Sequence, residues 1–215
     1  MVKEKFYASL EELANSGYFD TFDNVKNRLG VRLYSQETNL EGLPHMSLAG
    51  GITAGYFVDL SGLVDEDDGG CTTARVSNTM LQNWGLSVED LDKIAVESMS
   101  NRHPLLCQKL TTLLMIDDDT AEDIMVLTNV DFMFGASAIL YPGMLKNLAE
   151  EAGANLVVLP SSIHEVLLVP DSEKYKGIAE SDMVREINRM CVSQVDRLSD
   201  EIFYYDRDKD ELRVY

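Results

Sequence analysis

The stretch "LVVLPSSIHEVLLVP", residues 156–170, places Ser161, Ser162, His164 and Glu165 between two aliphatic runs. These are the residue types of nucleophilic acyl or group transfer: a hydroxyl to attack, an imidazole to take its proton and a carboxylate to orient the imidazole. Their spacing argues against a ready-made triad. In an extended strand side chains alternate between faces, so Ser162 and His164 point together and Glu165 points away. The stretch also lacks the G-x-S-x-G elbow. "HEVLL" fails the H-E-x-x-H zinc pattern because Leu168 stands where the second ligand belongs. The structural reading is a turn after Pro160, in which the serines bond nearby backbone. The four polar residues are nonetheless the catalytic or binding candidates of the chain.

Other chemistry-bearing residues are sparser. His45 follows Pro44 and His103 precedes Pro104, both in expected loops from which either could approach His164. Cys71, Cys107 and Cys191 are far apart and form no C-x-x-C pair, which predicts free buried thiols rather than disulfides or a zinc ribbon. Five carboxylates, Asp117, Asp118, Asp119, Glu122 and Asp123, crowd one segment. They lack the alternating ligands, central glycine and terminal glutamate of an EF-hand, so a solvated loop is expected and no metal site. "AGGITAG" is not a dinucleotide-binding fingerprint, and no P-loop is present. No cofactor is therefore expected.

The chain has 215 residues, 37 acidic against 18 basic, for a formal net charge of −19. That field repels phosphate backbones and anionic membranes, which argues against direct nucleic-acid binding and suits a basic protein partner. No apolar run is long enough to span a bilayer, and the amino terminus lacks the pattern of a secretory signal. A cytoplasmic protein is expected.

The elements that must hold these residues follow from periodicity. Phe6, Leu10, Leu13 and Ala14 mark an opening helix stopped by Gly17. "NRLGVRLYS", "ITAGYFVDL" and a segment ending at Val76 read as strands. Ser77 or Asn78 caps a short helix that ends at Gly85, and the Ser87/Asp90 pair caps a second carrying Leu91, Ile94, Ala95 and Met99. A DNA-reading helix pair is disfavoured, because Lys93 is the only cation between Ser77 and Met99. "HPLLCQKLTTLLMI" continues as an apolar helix, completing a helical insertion over about 77–116. "IMVLTN" and "GASAILY" are expected to pair as antiparallel strands. A helix follows Pro142 and ends at Gly153, with Met144, Leu145, Leu148 and Ala152 as its apolar stripe. "NLVVLP" pairs with "HEVLLVP", "SDMVREINRMCV" forms a helix capped by Ser181, and "EIFYYDRDKDELRVY" closes the chain as a hairpin. The sum is one α+β domain over 1–215, with a largely antiparallel sheet built from hairpins and with packed helices.

Taken in order, "NRLGVRLYS", "LPHMSL", "VSNTMLQNWGLSVEDL", "GASAILYPGMLKNLAEEAG", "LVVLPSSIHEVLLVP" and "LSDEIFYYDRD" resemble an uncharacterised family of gut-dwelling Firmicutes, known only as a domain of unknown function. The resemblance covers roughly residues 22–215. It implies a bacterial cytosolic protein, often encoded among conjugative or phage-like elements, and implies no reaction. "LPSSIHEV" is the stretch most characteristic of the family, which again points to Ser161, Ser162, His164 and Glu165. Two functions are consistent with the sequence. One is a non-enzymatic interaction or regulatory module whose acidic surface engages a basic protein; the other is a small hydrolase or transferase using Ser161 or Ser162 with His164. An exposed strand of a terminal hairpin could also support a homodimer.

Overall fold

The computed structural model describes residues 7, 9–64, 73–115, 123–160, 162–175, 185, 188–190 and 192–215. Its contacts divide the chain into two compact units, residues 1–32, 39–46 and 54–102 in one, and 33–38, 47–53 and 103–215 in the other. The architecture is α+β with open sheets, as the alternation of strand and helix patterns predicts.

The first unit opens with helix α1 (Leu10–Asn15), where Ser9 Oγ accepts the Glu12 N–H and Leu13 is wholly buried. Gly17 stops it with a left-handed φ of 72°. Leu10 of the expected apolar face stays half exposed, and Phe6 lies outside the described residues. Helix α2 (Phe22–Val25) leads to strands β1 (Leu29–Tyr34), β2 (His45–Ser47), β3 (Thr53–Asp59) and β4 (Thr73–Arg75). β3 lies between β1 and β2 and also pairs antiparallel with β4, Phe57 opposite Arg75. Gly30 of β1 lets the Phe57 ring pack against the backbone, since a Cβ there would stand 2.4 Å from that ring and displace it.

Helix α3 (Asn78–Trp84) is capped by Ser77 and closed by Gly85 in the left-handed region, as its sequence predicts. In α4 (Val88–Arg102), Ser87 Oγ accepts the Asp90 N–H, and Leu91, Ala95 and Met99 are fully buried. Arg102, at its end, forms an ion pair with Asp59, a carboxylate only 2% exposed. Trp84 donates its ring N–H to the Phe19 carbonyl at 2.8 Å, consistent with a packing role.

The second unit is organised around a six-stranded antiparallel sheet in the order β10-β9-β7-β8-β6-β5. Two sequence expectations are overturned here. The stretch expected as one apolar helix from His103 to Ile116 is strand β5 (Leu105–Lys109) followed by the short helix α5 (Leu110–Leu114). Pro104 breaks the helical path after α4, and pairing with β6 (Met125–Asn129), Leu106 opposite Thr128, then outweighs the helix preference of Leu, Gln and Lys. "GASAILY" is not a strand partner of β6 but a 3-10 turn, Gly135–Leu140. All five residues from Gly135 to Ile139 are buried, and an apolar run buried on every side looks alike as helix or strand.

The remaining elements match expectation. Helix α6 (Met144–Ala152) ends at Gly153 and buries Met144 and Leu145 of the expected stripe, with Leu148 half-buried and Ala149 buried in place of the expected Ala152, which is exposed. β7 (Leu156–Leu159) pairs with β8 (Val166–Pro170), Val158 opposite Leu168. The closing hairpin is β9 (Phe203–Asp206) and β10 (Glu211–Val214). One face of the sheet meets α6, whose Leu148 and Ala152 line a cavity with Met125, Leu156 and Leu168. The other packs Val157, Leu159 and Val169 against Tyr175 and Ile202. The helix expected over 181–192 lies mostly outside the described residues, as do Cys71, Cys191 and the carboxylates 117–122.

Candidate functional site

The β7–β8 connection is Pro160–Glu165, and the surrounding chain grips it from two sides. On one side Ala136 N–H donates to the Ile163 carbonyl at 3.2 Å and Thr128 Oγ1 donates to the His164 carbonyl at 2.8 Å. On the other, Ile163 N–H donates to the Asp196 carbonyl at 2.9 Å and Ser199 N–H to the Pro160 carbonyl at 3.1 Å. Gly135 makes the first contact possible: a Cβ there would lie 2.1 Å from Thr128 Oγ1 and 2.4 Å from the His164 carbonyl oxygen.

Within this clamp Ser162 is 3% exposed, and its Oγ accepts the main-chain N–H of His164 at 3.0 Å. The hydroxyl is thus an acceptor in a two-residue turn, the local bonding that favours serine there. The His164 ring lies nearly parallel to Phe134, with centroids 6.1 Å apart. Its Nε2 is 3.6 Å from Asp196 Oδ1, while the buried Nδ1 meets no partner among the described residues. His164 and Asp196 are both about one-third exposed. Glu165 is half-buried on a different surface, the rim of a shallow groove that also includes Leu106, Leu113 and Phe132. Ser161 lies outside the described residues.

The four candidates therefore separate. Ser162 and His164 share a turn, His164 reaches Asp196 rather than Glu165, and Glu165 belongs to the groove. Asp196 is the residue that sequence reasoning missed; it sits in a polar segment remote in the chain, and no spacing rule links it to His164.

The other titratable residues are engaged elsewhere. His103 is 9% exposed, and its Nδ1 lies 2.6 Å from Asp131 Oδ2. The same corner contains the buried Asn129, whose Oδ1 accepts the N–H groups of Asp131 and Met133 and whose amide donates to the Met133 carbonyl. Tyr141 donates to the His103 carbonyl at 3.0 Å, and burial pushes its hydroxyl pKa up to about 12. His45, in the first unit, holds the Leu43 carbonyl at 2.9 Å through Nδ1. Burial, with Glu151 nearby, raises the Cys107 thiol to about 11, which suits an inert thiol rather than a nucleophile. Asp123, the described member of the acidic run, bonds to Lys174 and Tyr175, which lower its pKa. Among the described residues no group of His, Cys, Asp and Glu is placed to hold a metal ion, and no helix is long and apolar enough to cross a membrane.

The sheet edge presents a different kind of surface. β5 has one strand neighbour, β6, among the described residues, which leaves its other side without a strand partner there. Around it Leu105, Leu113, Leu114, Met115, Val130 and Phe132 are exposed, Phe132 by 56% and Met115 by 93%. Phe132 is held outward by a backbone φ of 55°, unusual for a bulky residue.

A family model described as a family of unknown function, DUF5688, matches residues 4–207. The chain belongs to that family. No curated protein and no solved structure matches it.

Proposed function

We propose that this member of the DUF5688 family is a non-enzymatic interaction module that binds a basic, extended segment of another protein along β5. The observation that carries the reading is the place of β5 at the end of the sheet among the described residues, bordered by exposed apolar side chains in a chain of net charge −19. An edge strand supplies main-chain hydrogen bonds to an added strand, and flanking apolar side chains supply specificity. The charge selects the partner: two copies of this chain would bring two like charges of −19 together, whereas a lysine-rich segment gains from the same field. A bacterial cytoplasm and a mobile-element setting, implied by the sequence resemblance, are part of the same proposal.

The test is a titration with a fluorescent ten-residue peptide of alternating Lys and Val. Leu113→Glu and Phe132→Glu change exposed positions beside β5, and Val214→Glu makes the same charge change at the opposite edge. The reading expects the first two to weaken binding at least tenfold and the third less than twofold. Equal losses at both edges would reduce the effect to unspecific charge attraction and overturn it.

A second reading, a hydrolase or transferase using Ser161 or Ser162 with His164, is favoured by one observation: Asp196 stands 3.6 Å from His164 Nε2 and could hold a protonated imidazole. Against it, the Ser162 hydroxyl is buried and committed to the turn. Incubation with a fluorophosphonate followed by peptide mass mapping decides it, since an activated serine would be modified at residue 161 or 162.

A further inference from the structure

Beside the clamp, within the second unit, a cavity of about 410 Å³ is lined by polar groups of three chain segments. Ser35, Gln36 and Glu37 follow β1, Gly50 and Gly51 precede β3, and the third segment includes Arg185, Gln194 and Arg197–Glu201. Both glycines have positive φ, 63° and 73°, and added Cβ atoms would fall 2.3 Å from the Phe203 ring and 2.6 Å from Gln36 Oε1. The backbone there takes a shape that favours glycine and leaves no room for a Cβ without a shift of Phe203 or Gln36, and it forms a wall of the cavity.

Arg197 is the anomaly in this cavity. It is half-buried, its Nη2 donates to the Asn188 carbonyl at 3.0 Å, and its buried Nε meets no partner among the described residues. Among the described residues no carboxylate comes within 4.0 Å of its guanidinium, although acidic residues outnumber basic ones 37 to 18 in the chain. A half-buried guanidinium ordinarily finds a carboxylate, because desolvating a charge without a counter-charge is costly. Asp200, an acid on the cavity wall, accepts from the Asn188 side-chain amide at 2.7 Å.

We propose that the cavity binds an α-amino carboxylate, either a free amino acid or a short peptide, with its carboxylate on Arg197 and its ammonium toward the Glu37 and Glu201 side. The planar guanidinium fork matches a carboxylate in geometry and charge. The three acids on the cavity wall, Glu37, Asp200 and Glu201, outnumber its two guanidiniums, Arg185 and Arg197, which disfavours a doubly charged phosphate, and they provide acceptors for an ammonium group. The volume is within the range of small-molecule sites, and the amides of Gln36 and Gln194 can bond a peptide unit. This site is separate from the β5 surface, so either assignment can fail without the other.

Calorimetric titrations of the full chain with alanine, alanyl-alanine, alanyl-alanine amide, N-acetyl-alanyl-alanine and inorganic phosphate test it. The proposal expects alanine or alanyl-alanine to bind with a submillimolar Kd, and the better of the two identifies the source. Amidation of the carboxylate and Arg197→Gln should each weaken binding at least tenfold. Arg197 also braces Asn188, so Glu37→Gln, at an exposed position, serves as the second variant. It should weaken the free-amine ligand severalfold and leave the N-acetyl compound unchanged. Failure of both alanine and alanyl-alanine to bind, equal binding of acid and amide, or phosphate binding as tightly as the dipeptide would overturn the proposal.

Discussion

The Ser162 hydroxyl oxygen accepts the main-chain N–H of His164 at 3.0 Å, so the two polar residues close a turn on each other instead of offering a nucleophile to a base. Ser162→Ala removes that acceptor from a site 3% exposed and leaves the amide unpaired. The expected cost is about 1–2 kcal/mol. Urea unfolding monitored by circular dichroism should show a lower midpoint with an unchanged slope.

Gly135 is the second structural determinant of the same loop. Gly135→Ala forces a methyl group against the main-chain carbonyl of His164 and the Thr128 hydroxyl bonded to it, neighbours with little room to withdraw. Overpacking of this kind costs about 1–3 kcal/mol. Thermal unfolding of the variant should begin measurably earlier than that of wild type, and the intensity of Phe134 ring contacts to His164 in NOE spectra should fall.

In the first unit the stability of α4 against β3 depends on Arg102 and Asp59. Arg102→Gln removes a charge partner from a carboxylate 2% exposed, which still accepts the Ser61 N–H at 2.8 Å. Losing one member of such a pair costs about 3 kcal/mol. Asp59→Asn with Arg102→Gln should recover part of the loss, and a double-mutant cycle of chemical denaturation measures the coupling.

Tyr141 gives an alkaline signature. Burial raises its pKa from the ordinary 10.0 to about 12, so the folded state holds the phenolic proton more tightly than the unfolded chain. That contribution is complete below pH 10.0 and is lost as pH rises to about 12. Tyr141→Phe should therefore show a shallower decline in stability across that window, by an amount on the order of 2 kcal/mol. Unfolding midpoints for both proteins at pH 9, 10 and 11 check the sign.

How far the sequence disclosed this structure depends on where an element draws its stability. Ser77, Gly85, Ser87 and Gly153 carry their caps locally, and the helices they bound are the ones expected. β7 and β8 were legible because aliphatic runs flank a proline and two serines. β5 and the Gly135–Leu140 turn were not, since each owes its conformation to pairing or burial supplied from other parts of the chain. The site divides the same way. The turn reading of Ser162 follows from neighbours in sequence, whereas the approach of Asp196 to His164 and the bond of Arg197 to the Asn188 carbonyl arise from tertiary placement.

If β5 receives a basic extended segment, hydrogen–deuterium exchange with the Lys–Val peptide at saturating concentration should show slowed exchange confined to Leu105–Lys109 and the adjoining α5, diminishing as salt is raised. Protection centred on β10 or on the first unit, or no protection in β5 while the peptide is bound, would contradict it.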